Sequence, residues 1–408
     1  MTAAVSPLAG DGGFKDLECD EPCTAICFTG EDSVLLAGLV DGSVCTWRTS
    51  SENLVWKGAF QEQTHASVRV VVGGPRRRLA ALGFSDGALA LVDVEACCYP
   101  WNMRLPRRRA RDSVTAAAFL SYDGSGAADD AQVLVCGTDH GRLHFIDVRL
   151  SESSNPVVSV HKQEDYISDI CTAGFEQPQE GTACCLLSAS GDGTLAIYDC
   201  RMGSEGQRVV RRALSTASND ELLTVAMFDN CRQVVCGTQR GFVDVIQWGK
   251  WDQLAYRLRI HPTTVNTVVS LDARLALTGA DDGVIRVVPV VPQPTAEVLG
   301  ENFEGMPVEA LALNASRERL ASCGHSDVIR VWHIAKHLDT VARDGCAHNR
   351  GDPMACECRG SDSECSGSIS SPEDHGASAR IEAPRVSRKR RRKHEHVPSS
   401  DAFFGDLL

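Results

Sequence analysis

A tight turn that recurs seven times constrains the fold of this chain more than any other feature. In most copies an aspartate precedes a glycine, and the glycine supplies the positive φ that a tight hairpin needs. Successive turns are 42 to 54 residues apart, a spacing that suits four-stranded propeller blades and no common helical repeat. The turns are Asp41-Gly42, Asp86-Gly87, His140-Gly141, Asp192-Gly193, Arg240-Gly241, Asp282-Gly283 and the variant Ser326-Asp327.

The strand after each turn has the same register in all seven copies. A bulky, strand-favouring residue stands six positions after each turn residue, and a β-rich run precedes each turn. We therefore predict an all-β chain, a seven-bladed β-propeller over residues 1–341. Closure of the ring implies that a segment around Phe14 to Cys19 supplies the outer strand of the last blade. The seven positions are Trp47, Val92, Ile146, Tyr198, Ile246, Val288 and Trp332.

The turn and strand residues 189–199 and 322–332 resemble WD repeats. The aspartate that ends the third strand of such repeats is present here only as Asp93, Asp147 and Asp199. The resemblance therefore implies blades that form with fewer of the usual polar links between loop and strand.

Four segments resemble the WD repeat-containing protein 55 family more specifically. They are the segment HKQEDYISDI at 161–170, DGVIR at 282–286, MPVEAL at 306–311 and DAFFGDL at 401–407. The resemblance implies a nucleolar or nuclear protein required for ribosomal RNA production and ribosome assembly. We expect a non-catalytic scaffold in ribosomal RNA processing and ribosome biogenesis.

The net charge of −13 is unevenly distributed. Residues 342–408 carry 11 basic and 11 acidic side chains, so the whole negative charge belongs to residues 1–341. An acidic body favours basic partners, such as ribosomal proteins, assembly factors or histone tails.

The cysteines and the N-terminus predict a reducing, intracellular compartment. Cys136 and Cys236 occupy strand positions that other repeats fill with Ala37 or Thr278, so they are interpreted as small buried apolar residues. Residues 1–13 do not form a signal peptide, and no apolar run approaches membrane-spanning length, so no membrane partner is expected.

Residues 342–408 are predicted to be a disordered tail, because their Gly, Ser, Asp, Cys and His content buries too little apolar area. A block of six positive charges in this tail favours a nuclear or nucleolar import signal and a contact for pre-ribosomal RNA, the alternative being a solvated charge run. Phe403 and Phe404 predict a docking motif for a partner, the alternative being packing on the propeller. The six charged residues are Arg388, Lys389, Arg390, Arg391, Arg392 and Lys393.

Two candidate sites lie inside the predicted propeller. A group of arginines beside Tyr99 and Trp101 is equally consistent with an RNA contact and with a solvated loop. Tyr198, Asp199 and Arg201 resemble the box by which some WD-repeat proteins bind the adaptor of cullin-4 ubiquitin ligases, so a substrate receptor is the alternative function. The arginines are Arg104, Arg107, Arg108, Arg109 and Arg111.

No motif in the sequence predicts catalysis, a cofactor or a metal. The hydrolase-like pattern Gly83-Phe84-Ser85-Asp86-Gly87 is the second blade's turn, and residues 88–94 alternate as a strand where a nucleophile elbow needs a helix. The turn and loop histidines are expected to link loops to strands. A tail cluster, Cys346, His348, Cys356, Cys358 and Cys365, lacks the paired spacing of structural zinc sites.

Overall fold

Each recurrent turn joins the two middle strands of a four-stranded antiparallel sheet. The computed structural model of the protein describes residues 13–29, 34–48, 53–59, 66–74, 78–106, 112–120, 133–148, 158–177, 181–200, 202–203, 206–207, 210–228, 232–291 and 296–335. These residues form seven such sheets, whose first strands follow one another around a ring. The predicted seven-bladed β-propeller is confirmed.

Blades 1 to 3 each consist of four strands that follow one another in the chain. The twelve strands are β2 (Cys23–Thr29), β3 (Val34–Leu39), β4 (Ser43–Arg48), β5 (Asn53–Ala59), β6 (Val68–Gly73), β7 (Leu79–Phe84), β8 (Ala88–Asp93), β9 (Cys98–Arg104), β10 (Val114–Leu120), β11 (Val133–Thr138), β12 (Arg142–Asp147) and β13 (Val158–His161).

Blades 4 to 6 have the same order, with a small hairpin inserted before the last strand of blade 4. Their strands are β14 (Ile167–Gln177), β15 (Gly181–Ser190), β16 (Leu195–Asp199), β19 (Val210–Leu214), β20 (Leu222–Phe228), β21 (Gln233–Thr238), β22 (Phe242–Gln247), β23 (Tyr256–Arg259), β24 (Val265–Ser270), β25 (Leu275–Ala280), β26 (Val284–Pro289) and β27 (Glu297–Glu301). The inserted hairpin is β17 (Met202–Gly203) with β18 (Gly206–Gln207).

Blade 7 combines the two ends of the described chain. Its inner strands are β28 (Ala310–Leu313), β29 (Arg319–Cys323) and β30 (Val328–His333), and a 3-10 helix, Phe303–Gly305, precedes them. Its outer strand is β1 (Phe14–Glu18), which pairs antiparallel with β30. The predicted closure by the N-terminal segment is therefore confirmed. No helix within the described part of the chain has the length and apolarity to cross a bilayer.

The turn chemistry explains why aspartate and glycine recur together. In blades 1, 2, 4 and 6 the turn aspartate accepts a hydrogen bond from the backbone N–H two residues later, at 2.8 to 3.1 Å. The following glycine adopts φ between +73° and +86°, a region that other residues rarely enter. In blade 7 the hydroxyl of Ser326 accepts the equivalent bond from Val328 N–H at 3.3 Å, so a serine replaces the aspartate.

The core lies between neighbouring blades. All seven side chains that stand six residues after the turns are at most 6% exposed, which fixes the register of the third strands. Cys136 and Cys236 are fully buried free thiols, and burial raises the pKa of both. They therefore remain protonated and pack as apolar side chains.

Candidate interaction surface on blades 4 and 5

Buried polar links fix the loops that precede three of the blades. The residues at the loop end of these links are Gln163 in blade 4, His261 in blade 6 and Asn302 in blade 7, each 1% exposed. Each bonds to a hydroxyl on the second strand of its own blade, four residues before the turn residue. The loops and the turns therefore share one side of the ring, which we call the turn face.

Blade 6 has the most complete link. The Nε2 atom of His261 lies 2.8 Å from the Thr278 hydroxyl, and its Nδ1 atom lies 3.1 Å from Asp282 Oδ1. Burial lowers the pKa of His261, despite the hydrogen bond to Asp282. Burial alone would raise the pKa of Asp282, but hydrogen bonds to His261 and Arg286 outweigh it and lower that pKa. The histidine is thus a structural group that stays neutral.

Blades 4 and 7 use amide side chains in place of histidine. Ser188 Oγ donates to Gln163 Oε1 at 2.5 Å, and Ser322 Oγ donates to Asn302 Oδ1 at 3.0 Å. In blade 4 the next residue, Glu164, donates its N–H to Asp192 Oδ2 at 2.8 Å. The acidic loop of residues 164–165 is consequently held beside the blade 4 turn.

A polar pocket of about 240 Å³ opens on the turn face between blades 4 and 5. We call it the acidic pocket, because Asp192, Asp220 and Glu221 contribute three carboxylates and Arg240 the single basic side chain. Glu221 Oε2 accepts a hydrogen bond from the Tyr166 hydroxyl at 2.9 Å. The lining residues are Gly191, Asp192, Gly193, Ser218, Asn219, Asp220, Glu221, Gln239 and Arg240.

Asp220 is the most buried of the three acids, at 6% exposure. Its Oδ2 atom accepts the backbone N–H of Arg240 at 3.3 Å, whereas its Oδ1 atom has no hydrogen-bond partner among the described residues. A buried carboxylate oxygen without a donor is costly in free energy, so a donor that enters the pocket beside Asp220 would stabilise this side chain.

A second cavity, of about 280 Å³, adjoins the acidic pocket at Ser218 and Asn219. We call it the apolar groove, since Ile246, Trp251 and Leu254 line it and Leu254 is 42% exposed. Its other lining residues are Ser215, Thr216, Ala217, Ser218, Asn219, Asp252, Gln253 and Arg257.

The one arginine that lines the groove is neutralised within the protein. Arg257 forms two hydrogen bonds of 2.6 Å to the buried carboxylate of Asp244 and donates to Ser218 Oγ at 2.9 Å. The hydrogen bonds to Asp244 raise the pKa of Arg257, so the guanidinium stays charged. The groove thus combines an apolar wall with an internally satisfied ion pair.

Of the described candidate residues taken from the sequence, the turn residue Asp192 lines the acidic pocket and the others line neither cavity. Arg104 ends β9 and lies 2.7 Å from the turn residue Asp86, while the other four arginines of that group, at 107, 108, 109 and 111, fall outside the described residues. Tyr198 and Asp199 end the third strand of blade 4 and are buried, and Arg201 is outside the described residues. The same holds for the basic run 388–393, for residues 403–404 and for the tail cysteine cluster.

The structure also describes the hydrolase-like pattern at residues 83–87 and the turn histidine His140. The Ser85-Asp86-Gly87 turn leads into strand β8, so the helix of a nucleophile elbow is replaced by a strand, as expected. His140 lies 2.6 Å from Asp139 and 3.1 Å from Asp112. These three are the one described group whose spacing could hold a metal ion, and such acidic groups are common without one.

The acidic pocket and the apolar groove were not predicted from the sequence. Their residues come from the turn of blade 4, the loop before β20, the turn of blade 5 and the loop before β23. The available signals were the adjacent pair Asp220-Glu221 before a strand and the acidic excess of the body. Neither indicates which loops meet.

The fold of the chain is similar to that of several solved structures. Solved structures that resemble the chain include a chain of a mitotic checkpoint complex, with a TM-score of 0.63, and the WD40 repeats of RRP9, with a TM-score of 0.62. Each is 14% identical in sequence, and the matches cover 82% and 80% of this chain and 96% and 98% of those chains. The chain therefore has the fold of a seven-bladed WD-repeat β-propeller.

Curated relatives then give the more specific likeness. The chain is 27% identical over 331 residues to mouse WD repeat-containing protein 55, which covers 81% of this chain and 78% of the relative. It is 25% identical over 316 residues to the Arabidopsis thaliana protein of the same name, with 76% and 80% covered. The resemblance found in the sequence is thereby confirmed. No family model matches the chain.

Proposed function

We propose that the chain is a non-catalytic scaffold in ribosomal RNA processing and ribosome biogenesis, and that it acts in the nucleolus. The observation that carries the proposal is the likeness to WD repeat-containing protein 55 over 331 residues, 81% of the chain. The relatives have WD-repeat names without an enzymatic activity, in agreement with a binding role.

The geometry supports a protein-binding role through the turn face of blades 4 and 5. The acidic pocket lies beside the exposed acids Glu164 and Asp165, so this part of the ring attracts basic segments. Ribosomal and assembly proteins have this character. The basic run 388–393 would direct the chain to the nucleolus and contact pre-ribosomal RNA.

Depletion of the protein tests the function. Cells are depleted, and precursor ribosomal RNA is followed by pulse labelling, with re-expression of the intact chain as the control. We expect slower maturation of the precursor that the intact chain restores. Unchanged processing after full depletion would rule out the proposed function.

Imaging of a tagged chain tests the compartment. The intact chain should concentrate in the nucleolus, and a variant in which residues 388–393 are replaced by Gly and Ser should leave it, because the charge block is lost. A chromatin pattern for the intact chain would contradict the proposal and favour an effector that binds histone tails.

A substrate receptor of a cullin-4 ubiquitin ligase stays the second candidate, because residues 198–201 resemble an adaptor-binding box. Arg201→Ala should then abolish co-purification of the adaptor. Arg149→Ala is the matched control, because Ile146-Asp147-Val148-Arg149 is a weaker copy of the same box. Equal recovery of the adaptor with both variants would exclude the box.

A further inference from the structure

We propose that the acidic pocket and the apolar groove form one docking site for an extended segment of a basic protein. An arginine side chain of the segment enters the pocket, and a nearby apolar side chain lies in the groove against Leu254 and Trp251. The inference rests on the proposed function in requiring a basic protein partner, and it specifies where and how that partner is recognised.

The pocket acids make no direct ion pair with a described basic side chain, and Arg257, whose charge interacts with Asp220, is already paired with Asp244. Elsewhere in the ring, acids of the turns and third strands pair with arginine, as in Asp86 with Arg104 and Asp282 with Arg286, both at 2.7 Å. No described basic side chain forms an ion pair with Asp192, Asp220 or Glu221. The pocket therefore retains an excess of negative charge that a partner can neutralise.

The Oδ1 atom of Asp220 has no hydrogen-bond donor among the described residues, and Asp220 is 94% buried. A guanidinium carries five N–H donors in a planar fork and binds carboxylates in pairs of hydrogen bonds, so it can satisfy this oxygen and a second carboxylate together. An ammonium offers a compact charge without that fork. The arrangement consequently favours arginine over lysine.

The size of the pocket agrees with a single side chain. Its volume of about 240 Å³ is below the range of about 300–1,000 Å³ typical of sites for drug-sized ligands. The excess of carboxylates also repels phosphate, which excludes a nucleic-acid backbone as the occupant.

The apolar groove determines which kind of side chain the bound segment carries near the arginine. It shares Ser218 and Asn219 with the acidic pocket, so one extended chain can reach both cavities. Leu254, with 42% of its surface exposed, gains burial when an apolar side chain covers it. We therefore expect the recognised segment to carry an apolar residue within a few positions of the arginine.

Peptide binding by the full chain tests the site. The probes are fluorescent ten-residue Gly/Ser peptides with two lysines for charge, one central arginine and a leucine two positions away. In matched peptides citrulline, a neutral isostere, replaces the arginine, or glycine replaces the leucine. Fluorescence anisotropy gives the dissociation constants.

The main variant is Asp220→Asn with Glu221→Gln. Both amides retain an oxygen that can accept the bonds from Arg240 N–H and the Tyr166 hydroxyl, so the fold is preserved while two charges are removed. The control, Glu297→Gln with Glu301→Gln, removes the same charge from exposed positions of β27 in blade 6.

We expect the pocket variant to bind the arginine peptide about tenfold more weakly, as expected for the loss of charge-assisted hydrogen bonds, and the control variant to bind within about twofold of wild type. The citrulline peptide should bind both variants alike, because the two changes remove the same interaction. Leu254→Asn should weaken binding of the leucine peptide and leave the glycine peptide unchanged.

Equal weakening in the pocket and control variants would overturn the site, since it would mean a general field effect. Absence of arginine-dependent binding to wild type would overturn it as well. If ribosomal RNA maturation depends on the protein while the peptides fail, the docking site is wrong and the proposed function stands. If the peptides bind specifically while ribosomal RNA maturation is normal without the protein, the docking site stands and the proposed function is wrong.

Discussion

The hydroxyl of Thr278 is the buried hydrogen-bond partner of the Nε2 atom of His261, in the loop before blade 6. His261, whose side chain is fully buried, depends on this hydroxyl at 2.8 Å. Thr278→Val keeps the shape and leaves the imidazole nitrogen unsatisfied, so the free energy of unfolding should fall by about 1–3 kcal/mol. Thr278→Ser keeps the hydroxyl, so its free energy of unfolding, measured by chemical denaturation, should fall clearly less. Equal losses would show that the link has no role in stability.

The buried carboxyl of Asp169 should make the stability of the folded protein depend on pH. Its Oδ2 atom accepts bonds from the Thr224 hydroxyl and Val225 N–H across the junction of blades 4 and 5, at 2.9 and 2.8 Å. Burial nevertheless raises the pKa of this carboxyl from 3.8 to about 6. A raised folded-state pKa means that the stability it contributes is present below pH about 4 and is lost as the pH rises through about 6.

Denaturation of wild type and Asp169→Asn between pH about 4 and about 7 checks the prediction, because the variant cannot titrate. Across this window wild type should lose about 1–2 kcal/mol relative to the variant, after screening by water is allowed for. A constant difference between the two proteins across the window would place the pKa of Asp169 near its ordinary value.

At the scale of strands, a repeated side-chain bond joins the blades. The second residue of the first strand donates to the backbone carbonyl at the start of the next blade's first strand, as in Ser168 to Leu222 at 2.6 Å. Asn266 makes a similar bond of 3.1 Å to Val308, two residues before β28. Thr24 and Thr115 make the same contact with blades 2 and 4. These bonds couple neighbouring blades into one cooperative unit.

Ser168→Ala should therefore lower the free energy of unfolding by about 1 kcal/mol while the transition stays single. Ser168→Thr keeps the donor and serves as the control. Thermal unfolding followed by circular dichroism reports both quantities. If the alanine variant matched wild type, the bond between these blades would be without net effect.

Regular strand spacing was predictable from the sequence, and irregular loops were not. The turn pairs and the residues six positions later define β4, β8 and their equivalents, because glycine conformation and side-chain burial repeat with them. The buried link of Asn302 in blade 7 does not follow the spacing found in the other blades. β28 begins eight residues after Asn302, whereas β24 begins four residues after His261, because the 3-10 helix Phe303–Gly305 lengthens the loop.

At the scale of the whole molecule, the candidate site depends on contacts between blades. Asp192 and Asp220 are 28 residues apart in the sequence and meet only because blades 4 and 5 stand side by side. The acidic excess of the body is visible in composition, but its concentration in one pocket follows from how the loops fold. The propeller could thus be predicted from local repeats, and the pocket required the assembled ring.

Ring closure makes the stability of the propeller depend on its first described residues. Asp16 binds Arg330 through two hydrogen bonds of 2.7 and 2.8 Å, and the Arg330 guanidinium lies 4.0 Å from the centre of the Phe14 ring. Leu17 is 5% exposed within the core shared by blades 1 and 7. Without β1, strand β30 would present an unpaired edge and the apolar surface beneath it.

Deletion of residues 1–20 should therefore abolish cooperative folding of the whole ring, with aggregation through the open edge, because each blade is stabilised by its neighbours. Deletion of residues 1–12 retains β1 and is the matched control, which should melt as the intact chain does. Calorimetry and size-exclusion chromatography distinguish the two. A monomeric 1–20 deletion that melts within a few degrees of the control would mean that blade 7 is stable with three strands and that closure by β1 does not hold the ring together.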